Sequence, residues 1–343
     1  MSVRVAGVIS AHNQVRYIGE AARSLAAEVD ELVVVDDGSQ DGTYELLQGL
    51  EAEGVLRLIR HEEPHGVSEA FNAAVDAVEA EVIFIQGGDD RTLPGRREAS
   101  LEALARPHAL LAYSLPVVID EEGRELPADA AGEFAAGASL DDPLRYLVDV
   151  GNFICAPSVA LRAADYRASG GFPPGIDLLQ DFALWLELAA RGALVRTDVP
   201  VVAYRKHATN LSREYVGVDT PRRRRYAAEI EWILDGFLSR ADMDALQRLS
   251  DLPDEAGLDR DEAAMLVRLG HRDRKVLRRG VSELMTRVAR EGSVVLERYG
   301  LDRKAVDDLV LRADHDSLSE LGRARAAVRA LTELGAGRIP ADD

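Results

Sequence analysis

Residues 33–43 read Val-Val-Val-Asp-Asp-Gly-Ser-Gln-Asp-Gly-Thr. Three β-branched residues in a row, with no polar alternation, suit a strand buried on both faces, as inside a parallel sheet. Asp37-Gly38-Ser39 and Asp41-Gly42-Thr43 then break the strand, and a helical pattern follows from Tyr44. Asp36 and Asp37 are thereby placed at the carboxyl end of a central strand, where open α/β sheets bind their ligands. An isolated Asp-Asp-Gly-Ser reads equally well as turn and cap residues, so its neighbours decide between the two.

The flanking sequence repeats the alternation. Residues 3–9 read as a first strand ending in the polar turn Ser10-Ala11-His12-Asn13. Ile18, Ala21, Ala22, Leu25 and Ala26 then recur at helical spacing between Gln14 and Glu28. After the Val33 strand, a helix over Tyr44–Glu53 ends before Gly54, and a strand over Val55–Arg60 closes in the loop 61–66. A helix over Val67–Glu79 carries Phe71, Ala74, Val75 and Val78 on one face. Val82–Ile85 is a fourth strand, ending at Gln86-Gly87-Gly88-Asp89-Asp90, with a helix expected from near Pro94. This β-α-β-α-β-α-β order with short connections specifies an α/β fold with a doubly wound, mostly parallel sheet. Carboxyl ends of parallel strands share one edge. His12-Asn13, Asp36-Asp37 and Asp89-Asp90 therefore converge on one crevice, whatever any single motif means.

Leu110–Ile119 is a further strand candidate, and residues 120–142, acidic and alanine-rich, read as loops with a short hairpin. Leu144–Val150 reads as a helix, Gly151–Leu161 as extended chain, and residues 170–175 as a Gly/Pro loop. Gln180-Asp181 opens a helix with Phe182, Leu184, Trp185, Leu188 and Ala189 as its apolar positions. Strands at Ala193–Val195 and Val199–Tyr204 precede Arg205-Lys206-His207. Beyond about Arg213 the β patterns stop. Amphipathic helices are expected at Arg224–Leu238, Asp242–Ser250, Asp259–Leu269, Arg274–Arg290, Arg303–Leu311 and Ser317–Leu334, with a frayed tail from Ile339.

Composition limits the function classes. A hydrophobic content of 47% supplies a core, and a formal net charge of −19 repels the phosphates that a general nucleic-acid binder must hold. The single cysteine, Cys155, rules out an internal disulfide, and its apolar context suits a buried small hydrophobe. No Cys/His spacing indicates structural zinc. No apolar run is long enough to span a bilayer, and the chain opens on a strand rather than a basic-then-apolar leader. A cytoplasmic protein is expected, with peripheral membrane attachment as a variant. Arg222–Arg225, the one dense basic run, reads first as a solvated face. Its second reading is a contact for phosphate, an acidic partner or a membrane surface.

Asp89 and Asp90 follow two glycines at a strand end. Adjacent carboxylates there suit a hard divalent cation that keeps positions open for phosphate oxygens, with a turn and helix cap as the plainer alternative. His207, just after a strand, is either structural or an additional ligand. Asp181, at a helix start, is either a first-turn acid or, if desolvated, a general base.

Taken in order, these segments resemble the family-two inverting glycosyltransferases with the nucleotide-diphospho-sugar (GT-A) fold. Residues 8–13 resemble the family's first strand and its proline-any-tyrosine-asparagine turn, with His12 where tyrosine is common. Residues 34–39 with Asp41-Gly42-Thr43 match its most recognisable signature. Gly66 to Asn72 resembles its glycine-to-arginine-asparagine helix, with Phe71 in place of arginine. Phe84 to Asp90 resembles its metal-binding strand end, with Gly87 in place of the first aspartate. Ser158 to Arg162, Gly170-Gly171-Phe172 and Gln180-Asp181 to Trp185 resemble the acceptor-side region, with Gln180 for a common glutamate. Tyr204-Arg205-Lys206-His207, with Asn210 and Ser212, resembles the closing motif. The resemblance spans about residues 3–213 and leaves out the C-terminal helices.

It implies a GT-A domain over residues 1–213, with a nucleotide-binding half over 1–118 and an acceptor-side half over 119–213, followed by an α-helical region over 214–343. The activity it implies is metal-assisted transfer of a sugar, with inversion, from a nucleotide-diphospho-sugar donor to an acceptor hydroxyl. UDP-sugars are favoured over GDP- or dTDP-sugars. His12, Asn13 and Asp36 or Asp37 would hold the base and ribose, with Gly66 and Asn72 in the donor-binding set. Asp89 and Asp90 would hold Mg²⁺ or Mn²⁺ on the two phosphates, completed by His207, and Asp181 would deprotonate the acceptor. The acceptor stays open among polysaccharide, glycolipid, protein glycan and small metabolite. The C-terminal helices stay open among acceptor cover, homo-oligomer interface and partner docking. Two other classes compete. One is a non-catalytic nucleotide-sugar-binding or scaffold protein, suggested by Gly87, Phe71 and Gln180. The other is a nucleotidyltransferase, whose glycine- and basic-rich first loop Ser10-Ala11-His12-Asn13 lacks.

Overall fold

β1 (Val5–Ala11) is buried along its whole length, so both of its faces must be covered. In this computed structural model, which describes residues 3–135, 142–208, 210, 220–250, 258–271, 274–292 and 294–313, the chain next forms α1 (Ile18–Ala26) and β2 (Glu31–Asp37). It continues through α2 (Thr43–Ala52), β3 (Arg57–His61), α3 (Val67–Ala77) and β4 (Val82–Gly87). β2 and β4 both pair parallel to β1, with Ser10 opposite Val35 on one side and Gly87 on the other. The chain winds outward from β1 through β2 to β3, then returns to lay β4 on the opposite flank. The β1–β4 boundary is thus the point where connections leave in opposite directions, and the crevice beyond those two strand ends is where such sheets accept a ligand.

The sheet is completed by later, less regular elements: β5 (Arg91–Thr92), α4 (Arg96–Leu104), β6 (Ala109–Tyr113), β7 (Val117–Ile119), α5 (Gly132–Ala135) and α6 (Pro143–Asp149). After these come β8 (Ala160–Arg162), α7 (Ala163–Ala168), α8 (Gln180–Arg191), β9 (Ala193–Arg196) and β10 (Val202–Arg205). The main sheet has seven strands in the order β3-β2-β1-β4-β8-β6-β9, with β8 antiparallel to both neighbours, and a second sheet has the order β5-β10-β7. The doubly wound, mostly parallel expectation holds. The single strand read at Leu110–Ile119 is two strands in two sheets. Its break falls at Ser114-Leu115-Pro116, where proline offers no N–H to a ladder. Of the extended run 151–161, the end alone joins the sheet, because Ala156–Ser158 makes a 3₁₀ turn.

Ile9, Val34 and Phe84 are fully buried on the sheet and cluster with Ile18, Leu25 and Leu47 from the covering helices. Each such side chain contributes roughly 1.5–3 kcal/mol by leaving water. Cys155 is buried, as its apolar context implied.

The chain divides into two compact units, Met1–Ile230 and Glu231–Asp343, with the division falling inside α9 (Pro221–Arg240). The second unit continues with α10 (Met243–Ser250), α11 (Arg260–Gly270), α12 (Arg274–Glu291), α13 (Val294–Arg298) and α14 (Arg303–Ala313). Met265, Leu277, Leu284, Val288, Val295 and Val306 form its core. Asp259 and Glu262 make a reciprocal capping box at the start of α11. The short α13 escapes sequence reading because five residues give barely more than one turn of pattern. The expected boundary at 213, Ser212, and the helix at Ser317–Leu334 lie outside the described residues. Among the described residues no helix is long and apolar enough to cross a membrane.

Candidate active site

A cavity of about 830 Å³ opens at the carboxyl ends of β1 and β4. His12 and Asn13 line it from β1, residues 87–90 from β4, Gln180 and Asp181 from α8, and Tyr204 and His207 from the β10 segment.

Asp36 and Asp37 stand just outside this lining. The Asp37 carboxylate accepts the N–H groups of His65 (2.9 Å) and Gly66 (2.8 Å) and lies 2.7 Å from His61 Nδ1. Gly66 has φ +97°, a backbone state that favours glycine and lets the β3–α3 loop turn back onto Asp37. Asp36 is fully buried, accepting from Ser39 N–H (3.3 Å) and Arg60 Nη1 (3.1 Å), with the Arg60 guanidinium 3.8 Å above the Tyr44 ring. The pair therefore shapes loops, and those loops present His12 and Asn13. His12 Nδ1 lies 2.6 Å from Asp37 O. Asn13, at φ +53°, donates its N–H to Ser39 Oγ and accepts Gln40 N–H, each at 2.9 Å. Asn72 is also outside the lining. Its Oδ1 accepts from Tyr166 Oη (2.6 Å) and Phe172 N–H (3.1 Å), and its Nδ2 donates to Phe172 O (2.8 Å), tying α3 to the Gly/Pro loop.

At the end of β4, a Cβ on Gly87 would stand 2.8 Å from Asp89 Oδ1 and 2.8 Å from Asp90 Oδ2. Two carboxylate oxygens converge on space that any side chain at position 87 would occupy. His207 Nε2 lies 2.8 Å from Asp89 Oδ2. Asp90 is buried, and its Oδ1 accepts the Arg205 N–H at 2.9 Å. Burial, then the neighbouring Asp89 charge, hold the Asp90 carboxyl well above the usual carboxylate range. Two carboxylates facing one space supply the oxygen donors that a hard divalent cation takes. Among the described residues no group of three or more His, Cys, Asp or Glu side chains is placed to hold a metal ion by itself. An open oxygen-rich site of this kind leaves positions to phosphate oxygens and water.

Sequence reading assigned no role to the groups that support this strand end. Arg205, 2% exposed, pairs with Glu20 at 2.5 Å and donates Nε to Asp89 O at 2.8 Å. Its Nη1 reaches the carbonyls of Asp120 and Glu121, each at 3.2 Å, and its guanidinium lies over Tyr17. Asn210 accepts the His207 N–H at 2.5 Å and donates to Arg205 O at 2.8 Å. Arg96 is fully buried and donates to the carbonyls of Ile85 (2.9 Å) and Val159 (3.1 Å) and to Gln86 Oε1 (3.1 Å). Burial lowers its pKa to about 9.

Asp181 is part-buried in the first turn of α8. Its Oδ1 accepts the Phe182 N–H at 2.7 Å and its Oδ2 accepts Asn152 Nδ2 at 2.8 Å. Burial raises its pKa to about 6, against the opposing pull of those hydrogen bonds. A carboxylate with that pKa, on a cavity wall, has the properties of a general base near neutral pH. Asn152, in a Gly-Asn pair with no periodic pattern around it, carried no sequence signal.

Residues 8–164 match the family model for Glycosyl transferase family 2. The family 2 match covers the β1, β2, α3 and β4 site segments, whereas Asp181 and His207 lie beyond it. An uncharacterized glycosyltransferase of Nostoc sp. is 25% identical over 161 residues, 45% of this chain and 48% of that protein. The succinoglycan biosynthesis protein ExoU of Rhizobium meliloti is 35% identical over 92 residues, 26% of this chain and 27% of that protein. The chain thus spans about half the length, or less, of these two relatives. The crystal structure of S. aureus TarS 1–349 in complex with UDP-GlcNAc matches 99% of this chain and 94% of its own, with TM-score 0.56 and 19% identity. That likeness is one of fold: a GT-A-like, mostly parallel sheet with flanking helices, followed by a helical region.

Proposed function

We propose that the protein is an inverting glycosyltransferase that moves a sugar from a UDP-sugar to an acceptor hydroxyl. The observation that carries this reading is Asp181, a carboxylate with a pKa of about 6 on the wall of the cavity that also takes in Asp89 and Asp90. Asp181 takes the proton of the acceptor hydroxyl as its oxygen bonds to the anomeric carbon. The bond from that carbon to the diphosphate oxygen breaks with its electron pair on the diphosphate. Attack from the face opposite the leaving group inverts the anomeric centre. Asn152 holds the Asp181 carboxylate in orientation through the bond to Oδ2. His12 and Asn13 face the nucleoside end, and Asp36, Asp37, Gly66 and Asn72 fix the loops around it. Asp89, Asp90 and His207 would hold Mg²⁺ or Mn²⁺, which when bound offsets the charge on the departing diphosphate. The UDP-GlcNAc and UDP complexes of TarS support uridine as the nucleoside, and the succinoglycan role in the name of ExoU supports a saccharide acceptor.

The test is release of nucleotide diphosphate from a panel of UDP-, GDP- and dTDP-sugars with Mn²⁺ and a mixed saccharide acceptor pool. Release from a UDP-sugar that depends on acceptor and disappears in Asp181→Asn supports the reading. Acceptor-dependent release unaffected by Asp181→Asn removes Asp181 as the base.

A further inference from the structure

Glu229 lies on α9, beyond the residues that match family 2, and its side chain is fully buried. Its Oε1 accepts the N–H of Asp177 at 3.0 Å, and its Oε2 accepts those of Leu178 (2.9 Å) and Leu179 (3.1 Å). These amides lead directly into α8, whose first turn holds Asp181. The first amides of a helix find no partner within it, and Leu179 at the cap position has no side-chain acceptor to offer. A second helix instead holds the backbone that enters α8, from Asp177 to the cap residue Leu179. Arg225, one turn earlier on α9, completes the clamp. Its Nε bonds Glu229 Oε1 at 2.8 Å, and its Nη2 reaches Gly175 O at 2.7 Å and Asp177 Oδ2 at 2.8 Å. Arg225 thereby balances the buried charge and pins the end of the Gly/Pro loop. Leu178, Leu179, Gln180 and Tyr226 all line the cavity, so the clamp also shapes the wall around Asp181.

We propose that Glu229, backed by Arg225, is a positioning residue that fixes the start of α8 and so the placement of Asp181 against the acceptor. The inference rests on Asp181 acting as the base.

Glu229→Gln keeps the volume but turns one accepting oxygen into an amide donor facing backbone N–H groups. The expected result is a fall in kcat of about 10- to 100-fold, per site titrated with UDP, with donor KM changed by no more than about twofold. The acid limb of the kcat–pH profile should also move to lower pH, because a loosened first turn admits water to a carboxylate whose pKa burial holds up. Arg225→Met leaves Glu229 in place and should give a smaller change in the same directions, which keeps the test open if Glu229→Gln folds poorly. A purely structural role lowers the number of UDP-titratable sites but leaves kcat per site and the pH midpoint unmoved in both variants, and that result overturns the proposal. Failure of the base reading itself shows separately, as turnover that survives Asp181→Asn.

Discussion

Asn152 Nδ2 donates to Asp181 Oδ2 at 2.8 Å, and with the Phe182 N–H on Oδ1 it steadies the charged form of this acid. A base works deprotonated, so kcat should rise with pH through about 6 and level off above it. Asn152→Ala removes a bond that favours the carboxylate, so the midpoint should move to higher pH. A kcat–pH series on both proteins checks this, and an unmoved midpoint removes Asn152 from the account.

The same pKa makes a stability prediction. Asp181 titrates near 6 in the folded chain, above its ordinary value of 3.8. The folded state therefore binds more protons than the unfolded state between those values, and this contribution strengthens as pH falls from 6 toward 4. Above pH 6 the charged group costs on the order of 2–3 kcal/mol. Asp181→Asn should then raise Tm at pH 7.5 by roughly 2–6 °C while transfer is lost. Thermal melts at pH 7.5 and 4.5 should show that gain shrinking at the lower pH.

Gly87 makes room for two carboxylates. A Cβ there meets Asp89 and Asp90 oxygens at 2.8 Å, closer than side chains tolerate, so Gly87→Ala must splay the pair. UDP affinity in Mn²⁺ should fall about tenfold, one decade being 1.4 kcal/mol, with the melting curve little changed. Gly87→Asp, which brings a larger side chain and a third carboxylate into the same space, should be worse.

Asp37 holds a loop. Asp37→Asn turns one oxygen that accepts backbone N–H groups into a donor facing them. Unfolding by urea should show a loss of about 1–3 kcal/mol. Donor KM should rise as residues 61–66 loosen, while kcat at saturating donor changes little.

Much of this was legible in the chain because regular features carry it. The Val33-Val34-Val35 run, the alternation and the paired acids at strand ends gave the parallel half of the sheet and the crevice. Asp89, Asp90, Asp181 and His207, spread over more than a hundred residues of sequence, line one cavity. The carboxyl end of β2 was legible in place but not in partners: the chain shows Asp36 and Asp37 near the crevice, whereas the loop His61–Gly66 that turns back onto Asp37 depends on one glycine dihedral. The antiparallel β8, three residues long, has no period to read. Glu229 and Arg225 look like an ordinary i,i+4 surface pair. Only tertiary packing turns that pair into a clamp on the segment that leads into another helix. Arg96, a buried guanidinium satisfied by carbonyls, is equally invisible to a rule that places arginine on the surface.

The central claim is that the β1–β4 crevice binds a nucleotide diphosphate through Asp89 and its neighbours. Calorimetric titration of the protein with UDP, in Mn²⁺ and again in EDTA, tests it most directly. The account predicts one saturable site in Mn²⁺ that is lost in EDTA and weakened at least about tenfold, or 1.4 kcal/mol, in Asp89→Asn. UDP binding that ignores both EDTA and Asp89→Asn, or no binding of UDP, GDP or dTDP under any condition, would contradict it.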